Sequence, residues 1–350
     1  FILEKPNNLS TDAWLNTGGT STSVQPSELD IAATHVRTFS LVIYCAITVV
    51  GTVGNGLVIY VTGFKMKKTV NSVWFFNLAL ADFLFTAFLV FSAISLSQNQ
   101  HWPFGQFMCK LNNFVSLVTM FTSVFILTAI SLDRCLSILV VVWAQNKRTV
   151  RKAQIISAVI WLAAGICSTP YASFRVVGNP TNTSNNTYCS YKGHRSILYA
   201  FRFVVGFLVP FLVILCSYVA IGIRTRRLQR MSKRRSQWII FSIIFAFFIC
   251  WLPLHVLSFI ELNVSDGSEV MRIVQIGGPL TVCLAFMNSC LNPILYVFMC
   301  DEFQKKLKQS ILLVLENALA EDPLSFVASS RSLSWIPRKS VSALPTLTKS

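Results

Sequence analysis

Asn288-Ser289-Cys290-Leu291-Asn292-Pro293-Ile294-Leu295-Tyr296 lies near the end of an apolar run from about Val270 to Cys300. That run is long enough to cross a bilayer, which takes about 20 residues. Amides in hydrocarbon are costly without partners, so Asn288 and Asn292 must face other segments of the chain. Pro293 lacks a backbone donor and permits a kink in the helix that carries it. A single helix cannot meet these demands, whereas a bundle can. Six more apolar runs precede this one, at roughly His35–Thr62, Val70–Leu96, Gln106–Leu139, Val150–Val176, Ile197–Arg224 and Gln237–Asn263. The expected fold is an all-α membrane protein, a seven-transmembrane helix bundle.

Composition agrees. Charged residues make up 13% of the 350 residues and the mean hydropathy is +0.59, where a soluble domain carries roughly 25% charged residues. The net charge of +16 would suit nucleic acid, but its placement points elsewhere. Lys and Arg gather in alternate connections: Lys65, Lys67 and Lys68; Lys147, Arg148, Arg151 and Lys152; seven residues between Arg224 and Arg235; then Lys305, Lys306 and Lys308. The opposite loops hold only Lys110, Arg175, Lys192, Arg195 and Arg272. The rich side is cytoplasmic by the positive-inside rule. This predicts a multi-pass plasma-membrane protein with an extracellular N-terminus, lipid as its surroundings and no nucleic-acid partner. The sequons at Asn8, Asn182, Asn185 and Asn263 all fall on the predicted outside, as glycosylation requires.

Four regions follow: an extracellular tail (1–34), the membrane domain (35–300), a short amphipathic eighth helix on the membrane surface (301–316) and a cytoplasmic regulatory tail (317–350). The eighth helix is read from Phe303, Leu307 and Ile311, spaced helically beside a basic face. The chain opens on Phe1, as a fragment or processed form would. Its first 35 residues lack a basic start with an apolar run, so the first membrane helix is expected to serve as its own insertion signal. Of the 10 cysteines, seven sit in apolar runs, and no CxxC pair suggests zinc or redox chemistry. No metal is called for by the cysteines and histidines.

Polar groups inside the runs are few: Asn55, Asn77, Asp82, Ser123, Asp133, Arg134, Arg202, His255, Glu261, Asn288 and Asn292. Any one could be helix-to-helix glue. Their settings say more. Asn55 sits between Gly54 and Gly56; Asp82 closes Asn77-Leu78-Ala79-Leu80-Ala81-Asp82; Ser131-Leu132-Asp133-Arg134-Cys135 ends the third run. Cys250-Trp251-Leu252-Pro253 lies in the sixth, and the opening stretch above ends the seventh. This ordered set resembles the rhodopsin-like (class A) G-protein-coupled receptors from about residue 38 to 322. Phe64–Asn71, His101-Trp102-Pro103-Phe104-Gly105, Met120–Phe125, Val142-Trp143-Ala144-Gln145-Asn146 and Ala318–Asp322 resemble the leukocyte chemoattractant branch, which holds chemerin, formyl-peptide and chemoattractant-type prostaglandin D receptors, with the chemerin receptor nearest.

The resemblance implies a receptor, not an enzyme. It implies a Cys109–Cys189 disulfide. It implies a switch built on Asp133, Arg134, Tyr218, Trp251, Pro253, Asn292, Pro293 and Tyr296, with Asp133 holding Arg134 at rest. It implies a sodium ion among Asp82, Ser123, Asn288 and Asn292, with Thr119 where the family often has Asn. No other cofactor is implied. The partners implied are an extracellular peptide or lipid ligand, a heterotrimeric inhibitory-type G protein touching Arg134 and Val142, and receptor kinases and arrestin acting on the hydroxyl-rich tail. Signalling would run to calcium release, chemotaxis and inflammatory responses.

Three departures bear on function. Cys135 replaces the usual Tyr after Asp-Arg, Val141 stands where the branch has Pro, and Lys233-Arg234-Arg235 occupies a site that is usually acidic. They leave open an alternative, a scavenging or arrestin-biased receptor with little G-protein signalling. For the ligand, Arg202 and Arg175 match basic positions in relatives, and a guanidinium suits a carboxylate. Arg175 could instead snorkel at a helix end, and Glu261 could neutralise Arg202. Trp251 and Phe286 complete the candidate site. Leu117 replaces the acid of formyl-peptide receptors. A retinal protein would need a Lys within 270–300, which is absent; no repeat suggests a transporter, and no HExxH motif suggests a protease.

Overall fold

The computed structural model describes residues 28–179, 186–228, 234–264, 268–299, 304–305 and 307–309. Within helices only the backbone is described over 28–30, 143, 225–228, 234–244 and 294–299. The helices are α1 (Glu28–Tyr60, running on as a π-helical turn to Lys65), α2 (Val70–Ser97), α3 (Gly105–Leu139), α4 (Val141–Lys147) and α5 (Val150–Ser173). After the strands β1 (Arg175–Gly178) and β2 (Tyr188–Tyr191) come α6 (Arg195–Phe203), a π-helical turn (Val204–Leu208), α7 (Val209–Leu228), α8 (Arg234–Asn263) and α9 (Glu269–Met299). Among the described residues, seven stretches are long and apolar enough to span a membrane, α6 and α7 forming one of them. Residues 305 and 307–309, in a second compact unit, are helical. The rest of the expected eighth helix lies outside the described residues, as do the tail serines.

The lipid side of α1 shows in its exposed Val42, Val49 and Val53. By contrast α3 is the most enclosed span, with Phe121, Val124 and Ile126 fully buried. Buried polar side chains tie spans together, as the absence of water demands. The Asn55 amide donates to the Gly51 carbonyl on its own helix and to Ser289 of α9, each at 2.9 Å. Trp161 Nε1 donates to Asn77 Oδ1 at 3.0 Å, joining α5 to α2. The Tyr171 hydroxyl donates to the Leu198 carbonyl at 2.7 Å, joining α5 to α6. Gly51 lets α1 lie directly on Thr86 of α2, because a side chain there would overlap Thr86.

Helix ends follow local chemistry. Thr69 and Ser72 form a capping box at the start of α2, and Thr149 caps α5. Pro210 has no N–H to give the Gly206 carbonyl, and the preceding turn widens so that Val209 N–H reaches Val204 instead. Gly206 faces the Phe121 ring in that turn.

One expectation is corrected. The fourth span ends at Ser173, not Val176, because Arg175–Gly178 leave the helix to pair antiparallel with Tyr188–Tyr191. Arg175 is therefore no snorkelling residue at a helix end: it is 3% exposed. The fifth span, Arg195–Arg224, is met as one stretch built of α6, the π-helical turn and α7.

Candidate functional site

The β hairpin roofs the outer end of the bundle, where the Asn113 amide of α3 donates to the Tyr191 hydroxyl of β2 at 3.1 Å and further ties hold it. Cys109 of α3 is bonded to Cys189 of β2, with Cα atoms 5.7 Å apart. The Gln106 amide donates to the Arg175 carbonyl and accepts from Val177 N–H, each at 2.8 Å. Trp102 N–H donates to Thr187 at 2.8 Å, while Thr187 N–H reaches His101 Nδ1 at 3.1 Å. Gly105, at φ 74°, makes the turn that starts α3 and receives the Trp102 indole N–H at 3.0 Å.

Beneath this roof a cleft is lined by Tyr44, Phe85, Asn112, Asn113, Arg175 and Phe286, among others. Arg175 Nη1 donates to the Cys189 carbonyl at 2.8 Å, and its guanidinium lies 3.8 Å from the Tyr191 ring centre. Stacking on an aromatic face fixes the plane of the cation. Its buried Nε has no hydrogen-bond partner among the described residues. Phe286 packs against Tyr44 and Phe85, ring centres 5.2 and 4.9 Å away.

Arg202 lies on α6, 5% exposed, and donates from Nη2 to Ser258 Oγ of α8 at 3.1 Å. Ser258 in turn donates to the Leu254 carbonyl at 2.7 Å. Glu261 was the candidate counter-ion for Arg202. Its Oε1 lies 3.9 Å from Arg195 Nη1, and its carboxylate also feels the charge of Arg202. Ser258 was missed in the sequence, though it lies two helical turns after Trp251 on one face of α8 with His255 between them.

Deeper in the bundle, a smaller cleft is lined by Asp82, Thr119, Ser123, Trp251, Asn288 and Ser289, among others. Asn292 donates to Asp82 Oδ2 at 2.6 Å and Ser123 to Oδ1 at 3.4 Å. The structure thus gathers Asp82, Ser123, Asn288 and Asn292 as expected. It divides the ligand candidates: Arg175 and Phe286 line the upper cleft, and Trp251 lines the lower.

At the inner end, the expected Asp133–Arg134 pair is not formed among the described residues. Arg148 holds Asp133 instead, through three bonds of 2.8–3.1 Å. Adjacent residues on a helix leave it about 100° apart, so Arg134 would have to bend back along the helix to bond Asp133. Arg148 approaches from the loop between α4 and α5 and can. Spacing alone does not single out Arg148, which reads as one more cytoplasmic charge. Tyr218 lies on α7, which packs against α3, and Val142 is 70% exposed on α4. Pro253 and Pro293 both sit inside their helices. The side chain of Tyr296 lies outside the described residues, as do Asn8, Asn182 and Asn185. Asn263 is the exposed last residue of α8.

A model of the 7 transmembrane receptor (rhodopsin family) matches residues 54–296. The chain is 43% identical over 314 residues to human chemerin-like receptor 1, covering 83% of each protein. It is 42% identical over 309 residues to the pig chemerin-like receptor 1, covering 82% of this chain and 84% of that one. Human chemerin-like receptor 2 is 37% identical over 296 residues, with 82% of each covered. The chain therefore belongs to the rhodopsin family of seven-transmembrane receptors, among its chemerin-like members, and is a multi-pass plasma-membrane receptor rather than an enzyme.

Proposed function

We propose that this receptor answers an extracellular chemoattractant that presents a carboxylate, on a peptide or protein C-terminus or a lipid acid. It signals through the inhibitory-type G protein to calcium release and chemotaxis. The observation that carries the ligand class is Arg202, a guanidinium 5% exposed between α6 and α8, held by the Ser258 hydroxyl and beside the Tyr199 ring. An arriving carboxylate would meet this guanidinium with charge-assisted bonds that match its planar donor fork. Because the similar proteins are named as chemerin-like receptors, chemerin is the first ligand to try.

The test is a calcium assay in cells expressing the chain, with chemerin first and then peptides and fatty acids bearing a free carboxylate. Responses are expected to vanish with pertussis toxin and with Arg134→Ala, while ligand binding to Arg134→Ala persists. A toxin-resistant calcium response would point to another G protein. Arrestin recruitment with no G-protein response would favour the scavenging reading. Against that reading, α4 forms with Val141 as its first residue, so the loop that meets the G protein is helical without the proline its relatives carry there. Receptor kinases and arrestin are assigned to the tail, where phosphates on Ser325, Ser329, Ser330, Ser332 and Ser334 would add the charge that docks arrestin.

We also propose a sodium ion beside Asp82. The residues fit a hard cation that takes oxygen ligands. Asp82 supplies the charge, Ser123, Asn288 and Ser289 line the cleft, and the Asn292 amide holds the second carboxylate oxygen. The ion would supply positive charge that steadies this arrangement against rearrangement of α9. Replacing choline chloride by sodium chloride at constant ionic strength is expected to weaken agonist binding several-fold, and Asp82→Asn to remove the effect. Equal sensitivity of wild type and Asp82→Asn to sodium would refute the site.

A further inference from the structure

We propose that Arg148 is a positioning residue for G-protein engagement: by holding Asp133 it keeps the guanidinium of Arg134 out of a local ion pair and so sets how readily the receptor couples. The inference rests on the coupling proposed above. Arg148 Nε donates to both Asp133 oxygens at 2.8 and 3.1 Å, and Nη2 to Oδ2 at 2.8 Å. Nη2 also donates to Asn71 Oδ1 at 2.7 Å. One planar cation thus joins the start of α2, the inner end of α3 and the loop after α4. The side chains of Asp133 and Arg148 are 11% and 24% exposed, so water competes weakly for these charge-assisted bonds.

Arg134 is left in a different condition from its neighbour. It makes no hydrogen bond to Asp133 among the described residues, and its buried Nε has no partner there. The sequence carries Lys233, Arg234 and Arg235 near the inner end of α8, so that stretch supplies no acid to hold it. Removal of Arg148 strips a largely buried carboxylate of its three bonds. Such a carboxylate draws in the next available cation, and Arg134 is adjacent in the chain. Bending back toward Asp133, Arg134 would be withdrawn from the face that meets the G protein. Lys in place of Arg148 keeps the charge but cannot present the planar fork that bonds Asp133 and Asn71 together.

The experiment uses the full chain in lipid nanodiscs with the inhibitory-type heterotrimer, and reads agonist-free nucleotide exchange at matched receptor amounts. Arg148→Ala is expected to lower exchange several-fold and Arg148→Lys to lower it less. Adding Asp133→Asn to Arg148→Ala is expected to restore exchange, since nothing then captures Arg134; a merely structural loss would be deepened, not repaired. Unchanged or raised exchange in Arg148→Ala, or no restoration by Asp133→Asn, overturns the proposal. Thermal melts test the same capture without a G protein. Arg134→Gln should lower Tm more in the Arg148→Ala background than in wild type, because only there is Arg134 paired. If no heterotrimer responds to wild type, the coupling reading has failed, and equal Tm shifts in the two backgrounds would overturn the role of Arg148 as well.

Discussion

Arg202→Ala is expected to weaken agonist potency by well over tenfold with surface expression unchanged. The Arg202 guanidinium lies in the bundle interior, 5% exposed, on the Ser258 hydroxyl. A ligand carboxylate reaching it would complete a buried ion pair, and loss of one partner of such a pair typically costs about 2–5 kcal/mol. Ser258 also bonds the Leu254 carbonyl, next to Pro253. A carboxylate that takes over the guanidinium therefore loosens a tie between α6 and the Pro253 turn of α8, linking binding to the segment that carries Trp251. Arg202→Lys should cost less if one charge suffices, and nearly as much if two parallel bonds are needed. Esterifying or amidating the ligand should cost potency on wild type and little more on Arg202→Ala. A modified ligand equally potent on wild type would end the carboxylate hypothesis.

The seven spans were legible because each apolar run exceeds the thickness of a bilayer, and the few amides and charges inside them mark the interior. The gathering of Asp82, Ser123, Asn288 and Asn292 was legible through resemblance, since spacing alone does not say which helices meet. The hairpin was not legible. Arg175-Val176-Val177-Gly178 continues the apolar character of the fourth run, and a four-residue strand has too few alternations to show a period of two. Partner choice was hidden for a related reason. Asp133 has a cation beside it in the chain and another 15 residues on, and only the direction of approach decides between them. Glu261 is the same case: Arg202 and Arg195 both lie one span away, and Arg195 is the one at 3.9 Å.

Cys109→Ala with Cys189→Ala is expected to abolish high-affinity agonist binding, a loss of a hundredfold or more, while a folded bundle still forms. In soluble chains a bridge closing a loop of this length, 80 residues here, contributes about 4–5 kcal/mol by the loop-entropy account. In a membrane α3 and α5 are inserted independently of the bridge, so the lost order falls on the hairpin rather than on the helices. Weaker ties would remain, through Gln106, through Asn113 with Tyr191 and through Trp102 with Thr187. They must then hold a two-stranded hairpin that is marginal by itself. Arg175 suffers directly, because its guanidinium is placed by the Cys189 carbonyl and the Tyr191 ring, both on β2. Gln106→Ala should act on the same hairpin more mildly, with affinity reduced several-fold. The check is saturation binding of a labelled agonist on intact cells, normalised to receptor counted at the surface through an N-terminal tag. Near wild-type affinity in the double variant would show that the bundle, not the roof, positions the ligand.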